Sequence, residues 1–226
     1  AVVIDMKADP DLASTLAAIA KQTGRLFHHV TVDATGTSYN PLAGLTADEM
    51  SDALYETLFA ADKSLNMHYA TLSRRLLQQA CRVCVDLADA RVARVGGGTW
   101  TIGLADVSDL LNLDTLRSVT PYLSPAVAAS LTRYLADLDA SKNEGDVGDV
   151  RDRVAVIVDT AAGRALDASG FTMESAIRAG DIVCFSLDAA GAPQTARTIG
   201  TLAVQDLCAV FGRLARDGWG KTRMCP

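Results

Sequence analysis

The sequence predicts a protein that is mainly α overall, in which α/β flanks form a partial parallel β-sheet around a large all-α helical insertion. Short apolar runs of strand length lie near both ends of the 226-residue chain. Between residues 46 and 166, by contrast, apolar residues recur at the three- and four-residue spacing of helices. An α-helical insertion in a parallel-sheet domain is the simplest architecture that satisfies both observations.

The first 33 residues predict a strand-helix-strand unit. Residues 1–5 form a short β-branched run suited to a buried parallel strand, and Asp9-Pro10 supplies an N-cap followed by a first-turn proline. Gly24 is expected to end the helix before a second apolar run at residues 26–32. The apolar face of this helix is predicted to contain Leu12, Leu16 and Ile19.

The middle of the chain predicts successive helices. Thr46 and Glu49 stand in the capping-box relation that opens the first of them. A longer helix is predicted from about residue 65 to residue 95, and three glycines at residues 96–98 end it. The predicted apolar faces of this region are Met50, Leu54 and Leu58; Val127, Leu131, Leu135 and Leu138; and Val150, Val154, Ile157 and Ala161.

Turn signals separate the later helices. A short helical stretch is predicted around residues 107–111, and Ser124-Pro125 predicts an N-cap with a first-turn proline. Residues 143–149 are polar and contain glycine, which predicts a loop.

After residue 170 the pattern returns to α/β. A short helix is predicted near Glu174, a strand at residues 181–187 between Gly180 and Gly191, and a last helix that ends at Gly218. The apolar positions of that helix are Ile199, Leu202, Leu207, Val210 and Leu214. The predicted domains are therefore residues 1–45, 46–166 and 167–226.

The negative charge of the chain is concentrated in its middle. The formal net charge is −6, and residues 46–166 carry 17 acidic against 12 basic residues. Because nucleic-acid binding rests on neutralising phosphates with Lys and Arg, we expect this acidic part to prefer a protein partner with a basic face over DNA. No apolar run approaches the ~20 residues of a membrane-spanning helix, so the chain is expected to be soluble.

Five cysteines form an odd set, so a disulfide framework is not expected. Cys81 and Cys84 form a CxxC pair, but with Leu77 and Ala88 they continue one helical stripe, which predicts core packing. A zinc site needs two further ligands, and the three histidines lack a matching spacing. His28 and His29, in or beside a strand, are interpreted as packing or edge polarity rather than catalytic groups.

Asp5, Lys7 and Asp9 follow the first predicted strand, where open α/β sheets place ligand-binding groups. The alternative is structural: Asp9 caps the helix, while Asp5 and Lys7 pair at the surface. No metal-ligand set or catalytic triad stands out elsewhere. Arginines 74, 75, 82, 91 and 94 are interrupted by Asp86 and Asp89 and are interpreted as an ordinary solvated face.

Residues 215–222 satisfy a loose phosphate-loop pattern that ends in Lys221 and Thr222. A true phosphate loop follows a strand and opens a helix, whereas a helix is predicted before this segment. The segment is therefore interpreted as a solvated connector, and a self-contained nucleotide hydrolase is the alternative function. A helix-turn-helix DNA reader at residues 105–119 is a further alternative, but its charges are mainly acidic.

Three separated blocks resemble the TraD/TraG-type coupling ATPases of conjugation and type IV secretion. These are VVIDMKAD at residues 2–9, YNPL at residues 39–42, and DIVCFSLD at residues 181–188 followed by AxxIGxLxxQDL at residues 196–207. The family-motif positions are Asp5, Lys7, Asp9, Asn40, Pro41, Leu42, Gln205 and Asp206. Met6 and Ala8 replace the proline and glycine usual in the family, and the loss of glycine matters if the backbone there takes a positive φ.

The resemblance implies a sheet of the P-loop type and a hexameric parent ATPase at the cytoplasmic face of the bacterial inner membrane. Such a parent uses ATP and magnesium to pass relaxase-bound DNA or effector proteins to a secretion channel. The all-α domain is the part that the resemblance assigns to recognition of the protein cargo. Because the phosphate- and magnesium-binding motifs of the family are expected outside this sequence, the chain itself is not expected to hydrolyse ATP.

Overall fold

The computed structural model describes residues 1–59, 66–95, 100–141, 143 and 147–219. It confirms a mainly helical protein with a small parallel sheet. The strands are β1 (Val2–Asp5), β2 (Phe27–Thr31) and β3 (Ile182–Ser186). The helices are α1 (Pro10–Thr23), α2 (Ala47–Phe59), α3 (Met67–Arg94), α4 (Leu104–Leu110), α5 (Leu113–Val119), α6 (Pro125–Ser141), α7 (Gly148–Val158), α8 (Ala161–Ala165), α9 (Met173–Ala179) and α10 (Pro193–Arg216).

Some sequence predictions fall outside these ranges. The glycine break at residues 96–98, residues 144–146 of the predicted loop, and Lys221, Thr222 and Cys225 lie outside the described residues. Within the described part of the chain, no helix is long and apolar enough to cross a membrane.

The sheet has three parallel strands in the order β1-β3-β2. Val3 and Val30 lie opposite Cys184 and Phe185 of the central strand. All five residues of β3 are buried, whereas β1 and most of β2 are partly exposed. The last strand in the sequence therefore occupies the centre, because its continuous apolar run fits a position covered on both faces.

Helix α1 begins and ends where the sequence predicts. The carboxylate of Asp9 accepts a hydrogen bond from the Asp11 amide, and Gly24 ends the helix at a positive φ of 66°. The predicted apolar face is wrong at Ile19, which is 42% exposed, while Ala20 is buried. The inward face follows residues 12, 13, 16, 17 and 20, because a helix turns 100° per residue and Ile19 lies beside this stripe.

The chain folds into two compact units. We call Ala1–Pro41 with Ala165–Pro226 the α/β unit, and Leu42–Arg164 the helical unit. That these are a motor segment and a cargo-recognition domain stays a prediction.

The helical unit opens with the predicted capping box. Glu49 accepts from the Thr46 amide at 2.9 Å, and Thr46 accepts from the Glu49 amide at 3.3 Å. The fully buried positions of the unit include Met50, Leu54, Leu76, Leu77, Leu131, Val150 and Val154. Ser124 precedes α6, but its hydroxyl donates to Asp86 of α3 at 2.6 Å. The predicted cap residue thus fixes the start of α6 against α3.

Candidate functional site

The turn after β1 holds the first three family-motif residues. The Asp5 carboxylate accepts from the backbone amides of Lys7 at 2.9 Å and Asp9 at 2.6 Å. Asp9 in turn accepts from the Asp11 amide at 2.9 Å and caps α1. Asp9 caps the helix as the structural alternative predicts. The predicted surface pair of Asp5 and Lys7 is wrong, because Asp5 contacts the backbone amide of Lys7 and not its ammonium group. Both carboxylates hold the shape of the turn.

Ala8 lies in this turn with a φ of 53°. This is the left-handed region, in which the Cβ of an L-residue is crowded by the backbone and glycine is favoured. Ala8 stands where the resembled family has glycine. Because its φ is positive, the loss of that glycine matters here. The turn keeps its conformation although the residue is unfavourable there.

Tyr39 and Asp206 form a buried hydrogen bond in the α/β unit. The Tyr39 hydroxyl donates to the Asp206 carboxylate at 2.5 Å across 167 positions of sequence, and both residues are at most 2% exposed. Burial, followed by the charge of Asp206, raises the pKa of Tyr39 well above its ordinary value. The Tyr39 ring also contacts Phe171 and Phe185 with centroids 5.2 and 5.3 Å apart.

Asn40 lies beside this pair and is also buried. Its backbone N–H donates to the Phe171 carbonyl at 2.9 Å, and its side-chain amide donates to the Ala168 carbonyl at 3.3 Å. Gly170 is required here, because a Cβ at this position would come within 2.6 Å of Ser38 and Tyr39 backbone atoms. Residues 38–40 are thus held against residues 168–171.

The motif residues do not form one cluster. Pro41 is buried at the end of the first α/β segment, and Leu42 is buried in the helical unit. Gln205, next to Asp206 in sequence, instead lines an apolar cavity of about 500 Å³ together with Ile4 and Met6. Tyr39 begins the YNPL block but is not among the predicted site residues, although its place in that block is the signal that points to it.

The two adjacent histidines make polar contacts within the sheet region. His28 Nε2 lies 3.0 Å from Asp181 Oδ2, and its ring stacks on Phe171 at 4.2 Å. His29 Nε2 lies 2.8 Å from the Ser186 hydroxyl. Both histidines therefore have the packing and polar roles that the sequence indicated.

Cys81 and Cys84 lie in the core of the helical unit, at 0% and 5% exposure, and both are free thiols. This confirms the predicted core packing. Burial raises the pKa of Cys81 to about 12 and that of Cys84 further. Among the described residues, no group of three His, Cys, Asp or Glu side chains is arranged to hold a metal ion.

Three of the five arginines of α3 pair with carboxylates from other helices. Arg74 contacts Asp52 at 2.6 Å, and Arg75 contacts Asp137 at 3.4 Å. Arg82 contacts Asp48, and the Arg91 guanidinium lies 3.7 Å from the centroid of Trp100. The basic residues of α3 are thus mostly neutralised by neighbouring helices, and Asp86 binds Ser124 instead.

Helices α4 and α5 occupy residues 105–119, the segment of the alternative DNA-reading function. Arg117 is the single basic residue of residues 105–119, and it pairs with Asp114 and Asp139. Asp106 caps α4 by accepting from the Gly103 amide at 2.8 Å. The charged side chains of this segment are therefore acidic or already paired with an acidic group, and neither kind favours contact with phosphates.

No family model matches the chain, and no curated protein matches it significantly. Its family and its function are therefore proposals that rest on its residues and their geometry.

Proposed function

We propose that the chain is the cargo-recognition part of a type IV secretion or conjugation coupling ATPase, together with adjoining segments of its motor. In this proposal the α/β unit belongs to a sheet of the P-loop type, and the helical unit receives a relaxase or effector protein. Hydrolysis of ATP with magnesium, the hexamer, DNA transfer and attachment to the membrane belong to the parent protein.

One observation carries the proposal. The blocks that resemble the family lie in or next to the α/β unit. The helical unit is inserted in the sequence between β2 and β3. Within the α/β unit, Tyr39 of the second block and Asp206 of the last block meet in a buried hydrogen bond. If the chain shares the architecture of the family, blocks that are distant in sequence should meet in its interior, as these two do.

The charge of the helical unit supports a protein cargo over DNA. Residues 46–166 carry a net charge of −5, and several arginines are already paired with aspartates. Asp89 and Asp109 are exposed and make no ion pair with a described residue. Exposed carboxylates of this kind accelerate association with a basic partner segment, while apolar contacts set the affinity.

The test uses the full chain immobilised on a sensor surface. The relaxase encoded with the chain's own gene is passed over it as analyte, and a duplex DNA of unrelated sequence is the control. We expect saturable binding of the relaxase with an association rate that falls as salt rises, and no DNA binding at physiological salt.

Charge variants make the test specific. Asp89→Asn combined with Asp109→Asn should slow association severalfold, whereas Asp11→Asn, an exposed carboxylate in the α/β unit, should not. A chain that ignores the relaxase but retains duplex DNA would reject the proposal in favour of a DNA-binding function.

A further inference from the structure

The apolar cavity that Gln205 lines lies between the end of β1 and helix α10. Its volume is about 500 Å³. Gly200 contributes only backbone to its wall, and a Cβ at that position would lie 3.2 Å from the Leu187 side chain. Met6 and Val204, which also line the cavity, are 44% and 45% exposed. The cavity is therefore open to solvent, mainly apolar, and large enough for an aromatic side chain.

Helix α10 also exposes an aromatic ring beyond this cavity. Phe211 is 52% exposed and lies two helical turns, about 10 Å, after Val204. Cys208, between them, is exposed as well. Positions that alternate in steps of four and three residues share one face of a helix. On α10 this face contains Thr201, Val204, Cys208, Phe211 and Ala215. The ring and the cavity therefore lie on the same face.

A ring and a cavity on one face of one helix fit a second copy of the chain. Phe211 cannot enter the cavity of its own chain, because both belong to the same straight element. A two-fold axis perpendicular to α10, between Gln205 and Cys208, sets two copies of the helix antiparallel. It places each Phe211 at the Gly200–Val204 part of the other chain's cavity. Such an interface is self-complementary, as two-fold contacts must be.

The same axis brings opposite charges together. Arg197 lines the cavity and makes no ion pair with a described residue. With the axis between residues 205 and 208, antiparallel pairing sets residue 197 opposite residues 214–218 of the second copy. Asp217 lies in that range, is exposed, and contacts Arg178 through one carboxylate oxygen at 3.2 Å. Its second oxygen can accept from another arginine.

We infer that two copies of this chain associate through antiparallel α10 helices, with each Phe211 filling the cavity of the other. An aromatic side chain buries about 150–250 Å² in such a position. One helix pair is a small interface, so the association is weak and reversible. The inference concerns the chain alone and depends on neither the proposed cargo nor the parent ATPase.

The test measures association of the full chain in solution. Sedimentation velocity is recorded over a dilution series up to about 0.1 mM protein, where weak interfaces of this size are populated. We expect a monomer at low concentration and a dimer at the highest. A short bismaleimide is then added to the Cys225→Ser chain. Peptide mass spectrometry should find Cys208 joined to Cys208, because the two thiols lie beside the axis.

Three variants identify the contact. Phe211→Ser should weaken the dimer at least ten-fold and remove the Cys208 cross-link, although Cys208 is retained. Arg197→Asp should weaken the dimer severalfold, because it sets a like charge against Asp217. Leu26→Ser is the matched control. Leu26 is 66% exposed in the same α/β unit but lies outside α10, so its loss should leave association unchanged.

Either of two results would overturn the inference. One is a chain that stays monomeric up to 0.1 mM, which would leave this face of α10 to a different partner. The other is a dimer that Phe211→Ser leaves unchanged. Since the Phe211 ring is half exposed, the variant should fold, and circular dichroism verifies this before association is compared.

Discussion

Ala8 holds the turn after β1 in a backbone conformation that suits glycine. Its φ of 53° places the residue in the left-handed region, which costs an L-residue about 1–2 kcal/mol. Glycine would remove that cost. Glycine also has more conformational freedom than alanine in the unfolded chain, and this freedom favours unfolding by about 0.5–1 kcal/mol. The first effect is the larger, so the native residue destabilises this turn.

We therefore expect Ala8→Gly to raise the free energy of unfolding by about 0.5–1 kcal/mol. Urea denaturation followed by circular dichroism measures the change. Ala18→Gly is the matched control, because Ala18 is exposed on α1 and glycine there should lower stability by about 1 kcal/mol. Equal losses for the two variants would show that Ala8 is unstrained.

Two buried tyrosines allow a direct comparison. The Tyr39 hydroxyl donates to the Asp206 carboxylate, whereas the Tyr134 hydroxyl has no partner among the described residues. Removing the first hydroxyl leaves a buried carboxylate without that donor, and removing the second leaves no group newly unpaired.

Tyr39→Phe should accordingly lower the free energy of unfolding by about 2–3 kcal/mol, because hydrogen bonds to charged groups contribute most. Tyr134→Phe should leave it unchanged or raise it slightly. Both values come from the same urea titrations. If Tyr134→Phe destabilised the chain as much as Tyr39→Phe, its hydroxyl would have a partner in solution.

At the scale of elements, local signals predicted the ends of several helices well. The helix signals at Asp9, Gly24 and the Thr46–Glu49 capping box each involve residues within four positions of one another. They can therefore be recognised in the sequence without knowledge of the fold. The parallel strands follow from their short apolar runs, and the buried faces of α3 and α10 follow from helical periodicity.

Contacts between distant residues were not predictable in the same way. The order β1-β3-β2, the bond from Ser124 to Asp86 and the Tyr39–Asp206 pair each depend on where separate elements pack. Gln205 and Asp206 illustrate this limit, because adjacent motif residues face a cavity and the core, respectively. Motif position alone could not distinguish the two.

Helix α3 buries both thiols of its CxxC pair, and this predicts their reactivity. With the pKa of Cys81 at about 12 and that of Cys84 higher, both stay protonated at pH 8.5 in the folded chain. Iodoacetamide should therefore spare them and alkylate the exposed Cys208. Peptide mass spectrometry reports each site. In urea all three should react, and modification of Cys81 without urea would contradict its burial.

At the scale of the molecule, the long helix α10 of the α/β unit runs to Arg216. The glycines and Lys221 of the loose phosphate-loop pattern follow a helix, whereas a working phosphate loop follows a strand. We expect this chain to bind no ATP saturably at millimolar nucleotide with magnesium in equilibrium dialysis. Lys221→Ala should leave the result unchanged. One-to-one binding that Lys221→Ala abolishes would instead establish a self-contained nucleotide-binding protein.

The position of β3 also affects how the chain folds during synthesis. The two edge strands pair with β3 and not with each other, and about 150 residues separate the end of β2 from its start. At ~5–20 residues per second, the ribosome needs about 8–30 seconds to make that interval. The helical unit is synthesised during this interval. Throughout it, β1 and β2 have no partner strand, and their unpaired edges attract other strands. We therefore expect the first two strands of the nascent chain to need shielding, of the kind that chaperones provide, until the partner strand is made.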